Sequence, residues 1–367
     1  IRERPWEECE VGGYPLLVPM LDMHTIGSGG GSIVDRDDIG SLQVGPESTG
    51  SDPGPACYGR GGNSPTVVDS AVVAGRLPGQ LTLGNSLDLQ PQRAREALSG
   101  LTSGEQTIEE IALDVLRLTE TNIAYSIRER TVARGMNPDE LDLIAGGGAG
   151  PLLAGGIADF LDLNRVIIPP AAGVLASWGL LCAPRRQEYT TSILTPLESI
   201  NPEKQRDYLD EIYNKLGKPD SFNCKAYLRY QGQGFELPVP INENETNQEI
   251  ARKFHDIHRK EYGFAEPERS IEWISLRGET SSSPPDWNFS APAGFDRSLP
   301  EKNTVAVRDN GTISTEEALV RNRGELSPGN HLEGPAIIPA KSSTTYIPPC
   351  WEGVLNEKYY LILRRKE

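Results

Sequence analysis

The chain has 367 residues, 37% of them hydrophobic and 24% charged, a balance that suits a globular protein long enough for two domains. Its formal net charge of −16 argues against nucleic acid or an anionic membrane surface as the main partner. A polyphosphate ligand therefore has to be held by local means, namely backbone amides, a helix N-terminus or a metal ion. The five cysteines, Cys9, Cys57, Cys182, Cys224 and Cys350, form no short-range pair. They indicate a reduced, cytoplasmic protein, with neither a disulfide framework nor a Cys-x-x-Cys zinc site. The opening residues 1–10 are charged where a signal peptide is apolar, and no apolar run is long enough to span a membrane. The chain starts without Met, which points to trimming or cleavage at that end.

In chain order, residues 14–22 read as a strand, followed by Thr25-Ile-Gly-Ser-Gly-Gly-Gly-Ser-Ile33. Four glycines at one spot serve either a cradle for an anion or a tight strand-to-strand corner. The Lys-Ser/Thr that closes a Walker P-loop is absent, as is the spacing of a dinucleotide fingerprint. Runs 32–35 and 41–45 predict a hairpin, and residues 46–62, rich in Gly and Pro, predict a long irregular loop. Helices are predicted over 66–77 and 87–98. The strongest helix runs from the N-cap Thr107 to the break at Gly135 and Pro138, with Ile111, Val115, Leu118, Ile123 and Ile127 at helical spacing.

Leu141-Asp-Leu-Ile-Ala145 then reads as a buried strand, and Gly146-Gly-Gly-Ala-Gly-Pro151 opens a helix up to Phe160. A strand, a glycine turn and a helix N-terminus in that order make a candidate anion or nucleoside site. With a further strand at 165–168 and a short helix at 173–182, this alternation predicts an α/β fold with a mostly parallel core. Beyond Pro184 strands dominate, at 188–194, 223–230, 236–241 and 271–276, with helices at 202–216 and 247–262. A Pro/Ser-rich connection at 281–300 leads to a β-rich tail, with runs at 304–307, 335–338, 344–347 and 359–363. The predicted domains are 1–183 and 184–367.

Three stretches carry a resemblance: His24-Thr-Ile-Gly-Ser-Gly-Gly-Gly-Ser-Ile33, Val44 through Gly62 with its Ser51-Asp-Pro-Gly-Pro-Ala-Cys-Tyr58 centre, and Gly147-Gly-Ala-Gly-Pro151. In this order they resemble the hydantoinase A/5-oxoprolinase family, which includes A-type subunits of ATP-dependent N-methylhydantoinase and subunits of acetone and acetophenone carboxylases. Further matches are Arg229-Tyr-Gln-Gly-Gln-Gly-Phe-Glu-Leu237, Tyr262-Gly-Phe264, Gly334-Pro-Ala-Ile-Ile338 and Ser343-Thr-Thr345 before Ile347-Pro-Pro349.

The resemblance implies the second half of an actin/hexokinase-like ATPase core, followed by a smaller, strand-rich α+β C-terminal domain. The two Gly-Gly-Thr phosphate turns of the family are absent, so an upstream ATPase half, in the same or a separate polypeptide, is the implied partner. A B-type subunit and a small-molecule substrate are implied as well. ATP and Mg²⁺ are the implied cofactors, and the activity is cyclic-amide hydrolysis by phosphoryl transfer to a carbonyl oxygen. Ketone carboxylation and a non-catalytic assembly role are the alternatives. Gly146, Gly147, Gly148, Ala149, Gly150 and Pro151 are expected to contact adenosine, and Gly29, Gly30 and Gly31 to line the cleft. Two departures stand out: Leu152-Leu153-Ala154 where the family has Leu-His-Ala, and Asp69-Ser70-Ala71 where it has Asp-Ala-Asn.

Among chemistry-bearing residues, Cys57 is either a nucleophile or polar lining residue held beside Tyr58, or a small buried filler. His24 can orient a substrate, bind a metal or form a structural hydrogen bond. Asp52 belongs to the same candidate site, and Asp22, Asp35 and Asp52 could gather around magnesium or simply form turns. His255 and His258, at i and i+3, read as a solvated helix face rather than a metal site.

Overall fold

The computed structural model describes residues 3–4, 10–11, 14–15, 20–21, 23–84, 86–133, 135–137, 140–219, 222–283, 299–309 and 311–366. Contacts divide the chain into two compact units, one of 1–179 with 288–367 and the other of 180–287. The expected single boundary near Pro184 thus becomes an excursion, and the β-rich tail returns to the first unit.

The first unit is built on α1 (Val67–Val73), α2 (Pro91–Ser99), α3 (Ile108–Val132) and α4 (Gly150–Phe160). Thr107 and Glu110 cap α3 reciprocally, each side chain bonding the other's backbone N–H, and the helix runs about 37 Å at the standard rise. Its buried stripe of Ile111, Val115 and Leu116 joins one core with Leu153 and Ala154 of α4. The adjoining sheet has the order 331–333, 351–355, 361–365, 165–168, 143–144. Only the pair of 165–168 with 143–144 is parallel, so the core is not mostly parallel as the alternation predicts.

The reason lies in the β-rich tail, whose antiparallel strands complete the sheet beside the two βα units. Trp351 Nε1 donates to Asp159 of α4 at 3.0 Å, and Arg365 pairs with the same carboxylate at 2.9 Å. The buried Arg323 guanidinium donates to the carbonyls of Ile168 and Tyr359, pinning tail to core. A second sheet, 302–309, 312–320, 336–340 and 343–347, contributes the hairpin whose strand Ser343–Ile347 packs on α4.

The unit of 180–287 is a four-stranded antiparallel sheet in the order 186–196, 271–281, 223–230, 237–241. After α5 (Leu175–Cys182), the helices α6 (Pro202–Lys215) and α7 (Asn247–Tyr262) cover it, around Trp273, Tyr230, Phe254 and Ile212. The predicted strand over 14–22 lies largely outside the described residues; of it, Tyr14–Pro15 pairs with Glu10–Val11 and Met20–Leu21 with Glu3–Arg4. Among the described residues, no helix is long and apolar enough to cross a membrane.

Candidate functional site

The glycine segment is a tight corner and a cavity wall at once. Ser32 accepts the N–H of Gly29 at 2.9 Å and donates to the carbonyl of Gly27 at 3.1 Å. Gly27 has φ +60°, and a Cβ there would fall 2.9 Å from Pro46 Cβ, so only glycine closes this corner. The carbonyl of Gly30 accepts the N–H of Val68 at 2.9 Å, and that of Gly31 accepts from Thr49. These bonds join the corner to α1 and to the 46–62 loop.

The second glycine turn is built around the edge strand 143–144. Gly146 lies against Leu175, where a Cβ would meet Leu175 Cδ2 at 2.6 Å. Gly147 takes φ +83° and donates its N–H to the carbonyl of Ala172 at 2.7 Å. Helix α4 then starts at Gly150 and Pro151, with Ala149 as an N-cap that has no capping side chain. Among the described residues the N–H groups of Gly148, Ala149 and Gly150 find no acceptor. They are donors at the positive end of a helix dipole.

These two turns meet in one cleft of about 440 Å³. Gly30, Gly31, Gly148 and Ala149 form part of its wall, and Pro55 and Tyr58 of the 46–62 loop form another part. Val68, Leu77 and Leu152 give it an apolar side. The tip of the tail hairpin, Lys341 to Thr344, closes it, with the Ser342 carbonyl 3.8 Å from where a Gly148 Cβ would stand. Among the described residues no Asp or Glu lines the cleft, Lys341 is the one charged residue that does, and Lys341 has no ion-pair partner. In a chain of net charge −16 this is a local reversal of field.

The expected residues separate. Tyr58 reaches the cleft, and burial pushes its phenol above the ordinary tyrosine value. Cys57 does not line it: the residue is 0% exposed, and burial followed by the nearby Asp69 carboxylate pushes the thiol far up. Its side chain is packed into the core of the first unit. Its loop is ordered by one 3₁₀ turn, Ala56–Tyr58, where sequence predicts no regular element. Asp52 is exposed at the loop's edge. His24 is exposed and pairs with Arg130 at a different cavity, and Gly29 is not among the lining residues. Asp22 lies outside the described residues. Asp35 and Asp52 are both exposed, and no group of three or more acidic, His or Cys side chains that could hold a metal occurs among the described residues.

His255 and His258 do not form a solvated face. His258 is fully buried between Gln233 Nε2 at 2.9 Å and the Phe264 carbonyl at 2.7 Å, and His255 bonds the Tyr230 hydroxyl. The Gln-Gly-Gln and Tyr-Gly-Phe stretches are thus tied to one another through these rings.

Sequence reasoning missed Lys341 to Thr344 as lining residues. The Ser-Thr-Thr stretch was visible as a pattern, but nothing in the linear order sets residue 341 opposite residue 148.

A family model described as hydantoinase/oxoprolinase matches residues 3–189. An uncharacterised protein of Methanocaldococcus jannaschii is 32% identical over 363 residues, covering 96% of this chain and 52% of that protein. The chain belongs to the hydantoinase/oxoprolinase family. A crystal structure of ATP-dependent caprolactamase from Pseudomonas jessenii superposes with a TM-score of 0.68 at 25% identity, covering 96% of this chain and 54% of that one. A nucleotide-free structure of acetone carboxylase shares the fold, with a TM-score of 0.81 at 20% identity over 97% of this chain and 54% of that one. The chain therefore spans about half the length of the relatives it matches.

Proposed function

We propose that the first unit supplies the adenosine-side half of an ATP site in an enzyme that opens a cyclic amide. The cleft carries this reading: among the described residues, N–H groups without acceptors at Gly148, Ala149 and Gly150, a Lys341 without an ion-pair partner and no lining acid suit an anionic nucleotide. Its apolar side at Val68, Leu77 and Leu152 suits a base or ribose face. On this reading the unit is the second half of an actin/hexokinase-like core, and the segment that grips the phosphates lies upstream, in the same or another polypeptide.

ATP supplies the phosphoryl group that converts an amide carbonyl oxygen into a leaving group, after which water can attack the carbon. This chain's own share is to hold the nucleoside end against Gly148 and the hairpin tip and to exclude water with Tyr58 and Leu152. The cleft offers Mg²⁺ no carboxylate ligand, so the described residues do not fit a metal held by this chain alone, and no step is assigned to one.

Ketone carboxylation is the second reading. It is kept in view by Leu153, which is 2% exposed in the core where the family has a polar histidine, a departure that counts against standard hydantoin opening. A B-type partner subunit and a cytoplasmic setting belong to both readings. The native assembly decides between them through ADP release. Release dependent on a lactam supports ring opening, release dependent on a ketone with bicarbonate supports carboxylation, and release with neither overturns both in favour of an assembly role.

A further inference from the structure

The glycine segment serves two cavities. Gly30 and Gly31 face the nucleotide cleft, whereas His24, Ile26 and Ser28 line another cavity of about 420 Å³, closed by the last turns of α3. Arg130 of α3 donates from Nη2 to His24 Nδ1 at 2.8 Å. Arginine can only donate, so Nδ1 is the acceptor and, in the neutral ring, the hydrogen sits on Nε2. That leaves the cavity with donors and nothing negative to meet them: among the described residues Arg130 has no carboxylate partner, and no Asp or Glu lines the space. Ser126 adds a hydroxyl, and the Ser28 hydroxyl is shielded from solvent without a hydrogen-bond partner among the described residues. Thr131, whose hydroxyl donates to the Ile127 carbonyl, also lines the space, and Ile26, Ile123 and Ile127 give it a hydrocarbon side.

We propose that this cavity binds a small aliphatic carboxylate, its oxygens on Arg130 and the neighbouring donors and its chain on the three isoleucines. N–H donors on a guanidinium with no carboxylate partner among the described residues recognise a carboxylate in its planar, two-oxygen form. The carbonyl end of α3 carries the negative end of the helix dipole and opposes an anion, so the guanidinium must be the anchor. Binding at this site requires no nucleotide and stands apart from the ATP reading.

The test uses the whole chain without nucleotide, titrated with butyrate and followed by the imidazole resonances of its four histidines. His24 is assigned with a His24→Gln variant. The expected result is a saturable shift at His24 and none at His331, which pairs with Glu352 elsewhere in the same unit. Arg130→Leu should weaken binding about tenfold or more, the usual worth of a charge-assisted hydrogen bond. Because leucine at 130 could disturb the packing of α3, Ile127→Ser is the second arm, and it should weaken butyrate while leaving inorganic phosphate unchanged. No saturable shift at His24, undiminished binding in Arg130→Leu, equal binding of butylammonium, or phosphate matching butyrate in the unmodified chain would each overturn the proposal.

Discussion

The Asp69 carboxylate, in the first turn of α1, accepts the backbone N–H of Cys57 at 2.7 Å. The same buried carboxylate accepts the N–H of Ala56 at 3.3 Å, the N–H of Thr66 at 2.9 Å and the Thr66 hydroxyl at 2.7 Å. One side chain therefore caps α1 and fixes the loop that places Tyr58 in the cleft. Asp69→Ala leaves three buried N–H groups without an acceptor. At about 1–3 kcal/mol for each, the expected loss is about 3 kcal/mol or more. Urea unfolding checks it, and a midpoint within error of the unmodified chain would contradict this account of the loop.

Cys57 should behave as a core residue. Cys57→Ser puts a hydroxyl where a thiol is fully buried, at a cost of about 1–3 kcal/mol, and Cys57→Ala leaves a small cavity instead. Both should lower the melting temperature while ATP-dependent turnover per folded molecule in the native assembly stays near normal. In the native chain a thiol-disulfide reagent at pH 8 should label the exposed Cys350 well before Cys57 and Cys224, whose thiols burial pushes up. Turnover lost without loss of stability would return Cys57 to the reacting site.

The glycine turn separates strain from occupancy. Positive φ belongs to Gly147, not Gly148, and a Cβ at 148 meets only the Ser342 carbonyl at 3.8 Å, an ordinary contact. Gly148→Val should therefore fold normally and lower the ADP affinity of the assembly about tenfold or more by filling the cleft wall. Gly147→Val should instead cost about 1–2 kcal/mol of stability through its left-handed backbone. Calorimetry and melting curves on both variants distinguish the two effects, and unchanged ADP affinity in Gly148→Val would remove the nucleoside from this turn.

Much of this architecture could be read from local signals. The 247–262 helix and the 223–230 strand fall where their patterns predict, because capping and alternation are properties of neighbouring residues. The return of the tail could not be read, since it depends on Trp351 and Arg365 meeting Asp159 some two hundred positions away. The cleft shows the same division. Its glycines were visible as motifs, but Lys341 joins them only through the hairpin, and His24 leaves them because the next residues turn the chain toward α3.

A buried ion pair gives a prediction whose sign depends on pH. Arg76 bonds Glu120 at 2.6 Å, with the two side chains 16% and 5% exposed, and the guanidinium also lies over the Tyr346 ring. Burial pushes the Glu120 carboxyl above its ordinary 4.5, and Arg76 pulls it back. Arg76→Met removes that pull, so the folded state holds the Glu120 proton to higher pH than the unfolded chain does. Stability tied to this proton is present below pH 4.5 and is lost as pH rises through the raised folded value. The variant should be about 3–5 kcal/mol less stable than the unmodified chain at pH 7 and closer to it at pH 4.5. Denaturant midpoints across that range decide it; a deficit that is flat or grows toward acid would mean that Glu120 is not the group left unpaired.

Lys341 is the residue on which the field inside the cleft turns. It is exposed and has no ion-pair partner among the described residues, so replacing it should leave the melting temperature nearly unchanged. A charge about 4 Å from a phosphate in water is worth about 1 kcal/mol, or roughly fivefold in affinity. Lys341→Ala should accordingly weaken ADP about fivefold in the native assembly, and Lys341→Glu, which adds repulsion to the loss, by more. The difference between Lys341→Glu and the unmodified protein should shrink as salt is raised, because an exposed charge is screened over about 10 Å at 0.1 M. Adenosine, which carries no phosphate, should bind all three proteins alike. If Lys341→Glu lowers adenosine and ADP affinity equally, the lysine acts by shaping the hairpin tip; if it lowers neither, the hairpin tip does not face the anionic end of the ligand.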